Sequence, residues 1–289
     1  MTIKFLDRNQ IDREQYQSCL SGSSNSSIYA DFEYLDSVSF KQWGALILDD
    51  YEAVFPLPWR FKWGLYYIYM PLFCQQLGIF GNAHNLETQD FLNAIPRKFI
   101  RVHLNVNAHF GKPRFASLKP NYVLSAPLNP EKSFNKDAWK NIQKCLEAGV
   151  EYQTENDIEF LLKTYHDTWG PVNGFTWNEH YIGFHTACEA LKIQGKLFTL
   201  SARLNDVLLG TAIFLVSENS IHYVCAAPTE MGKKYGIMHG IIYEACKKFP
   251  QKNLDFEGSS IPSVAQFYKK FGPDNHPYYS IRRTLWWNL

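Results

Sequence analysis

The chain has 289 residues, of which 46% are hydrophobic, and a formal net charge of +1. This length and composition allow a sizeable core in one large or two ordinary domains. The near-zero charge excludes a global attraction to nucleic acid, although a local basic helix could still contact phosphates.

Two further classes of protein are disfavoured. The longest apolar runs, such as 65–74, are too short to cross a bilayer, and residues 1–20 are charged rather than signal-like. We therefore expect a cytoplasmic protein without a membrane span. The six cysteines lie far apart without a CxxC pair, so neither a zinc site nor a disulfide framework is expected, and no metal is predicted.

The first 130 residues predict a mixed series of helices and strands. Apolar spacing predicts helices near 6–20 and 28–38, separated by a Ser/Gly/Asn loop. β-Favouring runs on either side of Asp49-Asp50 predict a hairpin over 43–57. The remaining predicted elements are a strand at 65–70, a helix at 87–99 and strands at 100–106 and 121–124.

A helix is predicted next over residues 135–148, ending at Gly149. Lys136, Lys140 and Lys144 step by four residues and share one face of it. A solvated lysine face is the preferred explanation, and contact with phosphates is the alternative.

The same order of elements begins again near Tyr152. Its predicted members are helices at 158–169 and 177–191 around a loop at 170–174, a hairpin at 197–215, a strand at 220–227, a helix at 237–249, a strand at 253–256, a helix at 262–271 and a strand at 278–282. Landmarks repeat at similar offsets, since Pro71 and Pro228 differ by 157 positions and Asp49 and Asn205 by 156. This regularity indicates two copies of one α/β unit, unless the landmarks are generic to α/β folds.

The stretch around residue 256 carries the most reactive pattern. Asp255 and Glu257 alternate with Leu254 and Phe256, which places both carboxylates on one face at the carboxyl end of a short strand. Neighbouring or desolvated carboxylates can acquire a raised pKa that suits a general base. Either residue could instead cap the following helix or pair with a lysine.

The element order resembles the GNAT acyl-CoA N-acyltransferase fold. Two such halves joined by a basic helix resemble the FemABX-type aminoacyl and peptidyl transferases and related two-domain acetyltransferase-like proteins. The resemblance covers nearly the whole chain, and its most specific pieces are 49–59, 71–80 and 255–259 with Phe271-Gly272. It implies an α/β (α+β) fold made by tandem duplication, with a mixed central sheet flanked by helices in each half.

The resemblance also implies an arrangement of domains and a donor site. Residues 1–130 would form a GNAT-like domain without a cofactor site, 131–149 a basic connecting helix, and 150–289 the donor-binding domain. A bulge at Ala226-Ala227, before Pro228, would free backbone groups for the donor. A phosphate-binding loop would comprise Gly232, Lys233, Lys234, Tyr235, Gly236 and Ile237.

The donor implied by the resemblance is an acyl-CoA or, as in FemABX-type proteins, an aminoacyl-tRNA. Met238 stands where the family has a small residue, which weakens the case for a coenzyme A pyrophosphate. Tyr268, four residues before Gly272, matches the family tyrosine that protonates the departing thiolate. A phenol suits that task because its ordinary pKa exceeds that of a thiol, although a helix-buried structural tyrosine is the alternative.

The acceptor side is predicted from both halves. His222 and Tyr223 on the third strand of the second half are further candidates for base or substrate contact, whereas His239 on an apolar helix face is expected to be structural. The first half lacks a glycine-rich loop after Pro71 and would provide a wall of the cleft between the halves. The residues expected in that wall are Trp59, Tyr69, Gln75 and Gln76.

The function predicted from these features is an acyltransferase that moves an acyl or aminoacyl group from a thioester or ester to an amine, as an acetyltransferase-like or aminoacyltransferase-like enzyme. Its acceptor would be a small molecule or a peptide. The alternative is a non-catalytic ligand-binding or assembly protein that keeps the fold. A third hypothesis, recognition of tRNA or another nucleic acid, depends on the lysine face and predicts a steep dependence on salt.

Overall fold

The computed structural model describes residues 2–82, 86–173, 179–258 and 261–284. The chain divides into two compact units: unit 1 comprises Met1–Lys119 and Pro277–Leu289, and unit 2 comprises Pro120–His276. Each unit contains one mixed β-sheet and its own hydrophobic core. No helix in the described ranges is long and apolar enough to span a membrane.

Unit 1 is built on eight described strands. Its helices are α1 Arg13–Gly22, α2 Phe32–Val38 and α3 Thr88–Asn93, and its strands are β1 Ile3–Asp7, β2 Trp43–Leu48, β3 Ala53–Lys62, β4 Leu65–Ile68, β5 Phe80–Gly81, β6 Phe99–Val106, β7 Ser117–Lys119 and, from the end of the chain, β15 Tyr278–Thr284. The sheet order is β1-β2-β3-β4-β6-β15-β7, with β5 paired to β3. Strands β4 and β6 are parallel, and the other pairs are antiparallel.

Unit 2 has seven described strands in one sheet. Its strands are β8 Tyr122–Leu124, β9 Glu151–Gln153, β10 Leu197–Leu204, β11 Val207–Val216, β12 Ser220–Pro228, β13 Asn253–Asp255 and β14 Asp274–Asn275, and its helices are α4 Pro130–Ser133, α5 Lys136–Glu147, α6 Ile158–Asn173, α7 Glu179–Ile193, α8 Glu230–Tyr235, α9 Ile237–Lys248 and α10 Pro262–Lys269. The order is β14-β8-β13-β12-β11-β10-β9. Strands β12 and β13 are parallel, and the other pairs are antiparallel.

The two sheets share one strand order. In each, an antiparallel series ends in a single parallel pair, β4-β6 or β12-β13, and two antiparallel strands lie beyond it. The strand beyond β6 is β15, from the end of the chain, whereas the strand beyond β13 is β8, from before the connecting helix. The chain therefore passes from unit 1 to unit 2 between residues 119 and 120 and returns to unit 1 between residues 276 and 277. The sequence predicted domain boundaries at 130 and 150.

Most predicted elements occur close to their expected positions. Both hairpins are confirmed, as are the strand at 100–106 and the helices near 135–148, 237–249 and 262–271. The hairpin turns have the left-handed backbone that Asn and Asp tolerate, with φ of 45° at Asp49 and 48° at Asn205. A mixed α/β fold with helices around two sheets is thus observed.

Three local predictions were wrong. Residues 3–7 form an edge strand on β2 rather than leading into a helix. Helix α6 continues to Asn173 through the predicted Gly-Pro break, because a proline near a helix end removes only one backbone hydrogen bond. Residues 230–235 form helix α8 where a loop was expected. Trp177, predicted to begin the apolar face of the second helix, and Gly174, predicted to end the loop before it, lie outside the described residues.

Candidate active site

The site begins where two parallel strands of unit 2 separate. β12 and β13 pair only over Ser220–His222 and Asn253–Asp255, whereas β12 continues beside β11 as far as Pro228. The register on β11 shifts between partners Tyr223 and Cys225, which makes Val224 an extra, bulged residue. The carboxyl end of β13 therefore opens beside a bulged strand, a common position for a ligand site. The bulge predicted at Ala226-Ala227 was wrong by two residues, and Pro228 is still in register with Gly210.

A tight turn follows β13 and fixes the position of Glu257. Glu257 and Gly258 both have left-handed backbone, with φ of 60° and 61°. A Cβ atom on Gly258 would lie 2.2 Å from the carbonyl oxygen of Pro120, so only glycine fits there. The backbone N–H of Glu257 donates to Asp255 Oδ1 at 2.7 Å. A non-glycine residue with this φ is strained, and such strain is concentrated at functional sites.

The Glu257 carboxyl group is buried and incompletely paired. Its Oε1 atom is inaccessible to solvent and has no hydrogen-bond partner in the described part of the chain. Burial raises the pKa of Glu257 from 4.5 to about 8 because removal from water disfavours the charged form. The group can therefore gain and lose a proton near neutral pH, as a general base must.

Asp255, the second predicted carboxylate, has a different environment. Besides accepting from Glu257, it accepts from Asn121 Nδ2 through Oδ2 at 3.2 Å, and its Oδ2 lies 3.7 Å from His222 Nδ1. Burial lowers the pKa of His222, an effect that the nearby Asp255 charge partly offsets. Asp255 is thus held on both oxygens and positions the backbone of Glu257. Neither carboxylate caps helix α10, whose N-cap is Ile261 without a side-chain bond, so that alternative was wrong. The contacts of Asp255 favour a structural role in the turn.

Tyr268 lies on α10 next to these carboxylates. Its ring stacks on Phe256, with 4.9 Å between centroids and 27° between planes. Burial, and then the charges of Glu257 and Asp255, raise the pKa of Tyr268 above its ordinary value of 10. The phenol therefore keeps its proton across the physiological range and can donate it only to a strong base.

Further aromatic groups line the same place. The Tyr223 ring lies 6.3 Å from that of Tyr268, and its buried hydroxyl donates to Met238 Sδ at 3.3 Å. Tyr165 on α6 also has a raised pKa, from burial and from its neighbours Cys225, Tyr181 and Tyr268 in that order. The sequence placed Tyr165 only in a helical stripe, and no local signal connects it with Cys225 on β12, 60 residues further along the chain.

The segment predicted to bind phosphate is a helix followed by a left-handed glycine. Thr229 caps α8, and Gly232 N–H donates to its hydroxyl at 3.0 Å. The amides of Lys233 and Gly236 donate to Thr229 and Lys233 carbonyl oxygens. These three amides are already bonded within the segment, whereas no described side chain caps the following helix α9, so phosphate binding by this segment stays a prediction.

The small residues of this segment have packing roles. A Cβ atom on Gly232 would lie 1.8 Å from the Leu209 carbonyl oxygen, and one on Gly236 would lie 2.4 Å from Asn141 Oδ1. His239, expected to be structural, lies with its Nδ1 atom 3.0 Å from the Gly236 carbonyl oxygen. The Met238 side chain fills the space over Gly210, because a Cβ atom added to Gly210 would lie 2.7 Å from the terminal methyl carbon of Met238.

The charged and aromatic members of the segment make contacts with their surroundings. Lys233 pairs with Glu230 at 2.5 Å, and the Lys234 carbonyl oxygen accepts from Lys144 Nζ at 2.6 Å. The Lys144 ammonium also lies 5.5 Å from the centre of the Tyr235 ring. Lys136 and Lys140 of the same α5 face are exposed, as a solvated face requires. Ile237, the last predicted donor-binding residue, is buried in the core of unit 2.

The two residues of β12 that were predicted to contact the donor, Ala226 and Ala227, make contacts with other elements of unit 2. Trp169 on α6 donates its indole N–H to the Ala226 carbonyl oxygen at 2.7 Å. Ala227 is fully buried and pairs with Thr211 of β11. Neither alanine lies at the bulge, and a role of either in donor binding stays a prediction.

The residues predicted for an acceptor wall lie in unit 1. Trp59 packs edge-to-face on Tyr66 at 5.6 Å, and the Arg60 guanidinium covers the Tyr69 ring at 4.8 Å. Gln76 donates to the Gln75 side chain at 3.1 Å, and the Gln75 carbonyl oxygen accepts from Asn105 Nδ2. These contacts belong to unit 1, and a role in acceptor binding stays a prediction.

Metal ligands were not predicted. The described residues contain no group of three or more His, Cys, Asp and Glu side chains arranged to hold a metal ion.

No protein-family model matches the sequence, and the search of curated proteins found no significant relative. Solved structures are similar over nearly the full length. FemX superimposes with a TM-score of 0.67 at 11% identity, covering 96% of this chain and 97% of that one. L-PGS from Bacillus licheniformis gives a TM-score of 0.57 at 12% identity, covering 96% and 93%. The C-terminal DUF2156 domain of a lysylphosphatidylglycerol synthetase from Agrobacterium fabrum gives 0.57 at 9% identity, covering 93% and 90%. The chain therefore has the fold of FemX, of L-PGS and of the DUF2156 domain, which confirms the predicted resemblance to FemABX-type proteins at the level of the fold.

Proposed function

We propose that this chain is an acyltransferase that moves an acyl or aminoacyl group to an amine, with its reactive groups in unit 2. The observation that carries this proposal is the environment of Glu257. A strained backbone holds its buried carboxyl, whose Oε1 atom lacks a described partner, at the end of β13, and its pKa is raised to about 8. A purely structural glutamate gains nothing from such a position.

Glu257 and Tyr268 support complementary proton transfers. The acceptor amine attacks the donor carbonyl carbon, and the Glu257 carboxylate takes the proton that the nitrogen loses. As the tetrahedral intermediate collapses, the bond to the leaving oxygen or sulfur breaks, and that atom takes a proton from the Tyr268 phenol. Proton return from Glu257 to Tyr268 through solvent restores the starting state. The two groups are brought near each other by the stack of the Tyr268 ring on Phe256, the residue before Glu257.

The raised pKa of Tyr268 favours an ester donor over a thioester. This corrects the expectation from ordinary pKa values that a phenol suits protonation of a thiolate. A thiolate, whose conjugate thiol has an ordinary pKa of about 8.5, is too weak a base to take a proton readily from a phenol whose pKa is raised above 10. The alkoxide released from an ester is a far stronger base. The amides of Gly232, Lys233 and Gly236 support the same choice, because they are bonded within the segment and are not available to the pyrophosphate of coenzyme A. An aminoacyl ester, such as aminoacyl-tRNA, is therefore the favoured donor, and acyl-CoA is the alternative.

The remaining assignments belong to this proposal. The shared strand order of the two sheets supports descent of both units from one duplicated GNAT-like unit. Unit 1 would contribute acceptor contacts through Trp59, Tyr69, Gln75 and Gln76. The acceptor would be a small molecule or a peptide amine, and the protein would work in the cytoplasm.

A donor panel tests the proposal. Thermal unfolding is measured with coenzyme A, acetyl-CoA, longer acyl-CoAs, aminoacyl-tRNA and uncharged tRNA, each over a range of concentrations. A donor present at 100 times its Kd should stabilise the protein by about 2.7 kcal/mol. We expect stabilisation by aminoacyl-tRNA beyond that by uncharged tRNA. Absence of stabilisation by every donor would contradict the proposal.

The second candidate is a binding or assembly protein without transfer chemistry. The observations in its favour are the Met238 side chain over Gly210 and the self-bonded amides of α8. A donor that binds and is never turned over, in the presence of varied amines, would favour it.

A further inference from the structure

Asn121 lies where the chain enters unit 2 and is bonded to the segment where the chain leaves it. Unit 2 begins at Pro120 and ends at His276. The backbone N–H of Asn121 donates to Asn275 Oδ1 at 3.2 Å, and the N–H of His276 donates to the Asn121 carbonyl oxygen at 2.7 Å. Asn121 is only 2% exposed. The two ends of unit 2 are therefore joined to each other at a buried asparagine.

The side chain of Asn121 reaches the turn that carries Glu257. Its Nδ2 atom donates to Asp255 Oδ2 at 3.2 Å, across 134 positions of sequence, and Asp255 Oδ1 accepts from the Glu257 N–H at 2.7 Å. Asp255 is 8% exposed, and a carboxylate so buried requires hydrogen bonds in place of water. The two oxygens of one carboxylate thus connect Asn121 to the backbone of Glu257.

The backbone of the same segment holds the two neighbours of Glu257. The Phe256 N–H donates to the Tyr122 carbonyl oxygen at 2.9 Å, and a Cβ atom added to Gly258 would lie 3.1 Å from Asn121 Cα. The residues before and after Glu257 are therefore fixed against this segment. Glu257 itself has a φ of 60°, which costs free energy and persists only where surrounding contacts impose it.

The Asn121 amide is not needed for the pairing of the strands around it. β8 pairs with β13 and β14 through backbone atoms of residues 122–124. We propose that Asn121 is a positioning residue, which holds Glu257 in its reactive position by orienting the Asp255 carboxylate. This inference rests on the proposed function, because it gives Asn121 a role in the transfer that Glu257 would carry out.

Removal of the Asn121 amide should change the acid-base behaviour of Glu257. Without this donor, the Asp255 carboxylate is free to turn away from the Glu257 N–H. The strained turn can then relax and admit water, which lowers the pKa of Glu257 from about 8 towards 4.5. Other titratable or charged groups around the turn, which the substitution leaves in place, are His222 of β12, Tyr122 of β8, and Tyr268 and Lys269 of α10.

Kinetics of three variants test the positioning role, with a pool of aminoacyl-tRNAs as donor and a panel of small amines and peptides as acceptors. Asn121→Ala removes the donor to Asp255. Asn253→Ala is the matched control, because it removes another bond between the same two chain segments, in which Asn253 Oδ1 accepts from the Ala126 N–H at 2.8 Å. The exchange Asn121→Asp/Asp255→Asn is the rescue. Its new amide at position 255 can donate to the new carboxylate at position 121, while the amide oxygen accepts from the Glu257 N–H.

We expect Asn121→Ala to lower kcat/KM by about 10²-fold, because a displacement of about 1 Å at a reacting group has an effect of that size. The rise of kcat/KM, near pH 8 in wild type, should move to lower pH, which a loss of stability alone does not cause. Asn253→Ala should keep the wild-type rise, and the exchange should restore both rate and rise. The proposal is overturned if Asn121→Ala keeps the rise near pH 8, if Asn253→Ala moves it equally, or if the exchange is no faster than Asn121→Ala.

Thermal unfolding from pH 5 to pH 9 tests the same inference without donor or acceptor. Glu257→Gln should raise Tm at pH 9 only to the extent that burial raises the pKa of Glu257. This gain should be lost in the Asn121→Ala background and persist in the Asn253→Ala background. If no amine is acylated but the gain is lost in this way, the proposed function fails and the positioning of Glu257 by Asn121 stands. If wild type is active and the gain persists with Asn121→Ala, the positioning role fails and the proposed function stands.

Discussion

The stability of Glu257→Gln at different pH values tests whether the Glu257 carboxyl has a raised pKa in the folded chain. Below about pH 4.5 the carboxyl is protonated in both the folded and the unfolded chain. As the pH rises from 4.5 to 8, the unfolded chain loses this proton and the folded chain keeps it. Folding then requires proton uptake, so the stabilising contribution of the protonated carboxyl is fully present below pH 4.5 and lost by about pH 8.

The magnitude follows from the pKa difference. At about 1.4 kcal/mol per pH unit, a rise in pKa from 4.5 to about 8 corresponds to at most about 5 kcal/mol. The side chain as a whole keeps partial contact with solvent, which reduces the effect, and we expect about 2–4 kcal/mol. Glutamine resembles the neutral carboxyl and cannot ionise. The variant should therefore match wild type near pH 5 and be more stable at pH 8–9.

The assay is thermal unfolding of both proteins between pH 5 and pH 9. Each kcal/mol shifts Tm by about 2–4 °C in a domain of this size, so the Tm of the variant should exceed that of wild type by several degrees at pH 9. Glu159→Gln, at an exposed glutamate of unit 2, controls for loss of a negative charge. Parallel Tm profiles of Glu257→Gln and wild type across the whole pH range would refute the reasoning.

Three other substitutions test the support of the site. Gly258→Ala should lower stability by about 2 kcal/mol or more, because the added Cβ atom would lie 2.2 Å from the Pro120 carbonyl oxygen and the φ of this residue is positive. An unchanged Tm would contradict the tight turn. Gly195→Ala is the control for backbone strain alone, because Gly195 has a positive φ but open space around its Cβ position. Asp255→Ala leaves the Glu257 N–H and Asn121 Nδ2 without their acceptor and should cost about 1–3 kcal/mol in urea unfolding; full stability would show that these bonds are replaced. Tyr268→Phe keeps the stack on Phe256, so it should lower kcat with little change in donor Kd; equal kcat would remove the phenol from the mechanism.

Much of the local structure could be predicted because local chemistry determines it. The Asp49-Asp50 and Asn205-Asp206 turns tolerate left-handed backbone, and both hairpins formed around them. Alternation over Phe99–Val106 correctly predicted a half-buried strand. α8 was missed because six residues rich in Gly and Lys carry almost no helical period.

Long-range pairing could not be predicted from periodicity. Tyr122–Leu124 and Tyr278–Thr284 were both recognised as strands, but nothing local shows that the first pairs with β13 and the second with β6. A strand of three residues carries too little pattern to select its partner. That residues 120–276 form one compact unit is a property of the folded chain and is not visible in local patterns.

The grouping of the candidate residues could be predicted in part. The alternation around Phe256 selected Asp255 and Glu257, the family spacing selected Tyr268, and the structure places the Tyr268 ring on Phe256 between the two acids. The sequence could not show that Asp255 accepts a hydrogen bond from Asn121, which lies far earlier in the chain. Nor could it show that the Glu257 Oε1 atom has no hydrogen-bond partner in the described part of the chain. Burial and pairing of a carboxyl depend on distant segments, and burial is what raises the pKa of Glu257.

The pH dependence of amine acylation by wild type and Glu257→Gln tests the central claim most directly. With an aminoacyl ester as donor, kcat/KM of wild type should rise through about pH 8, because Glu257 must be ionised to accept a proton. Glu257→Gln should lose this limb and be slower by about 10²–10⁴-fold, while binding the donor as tightly as wild type. Wild-type rates and an unchanged profile in Glu257→Gln would contradict the account.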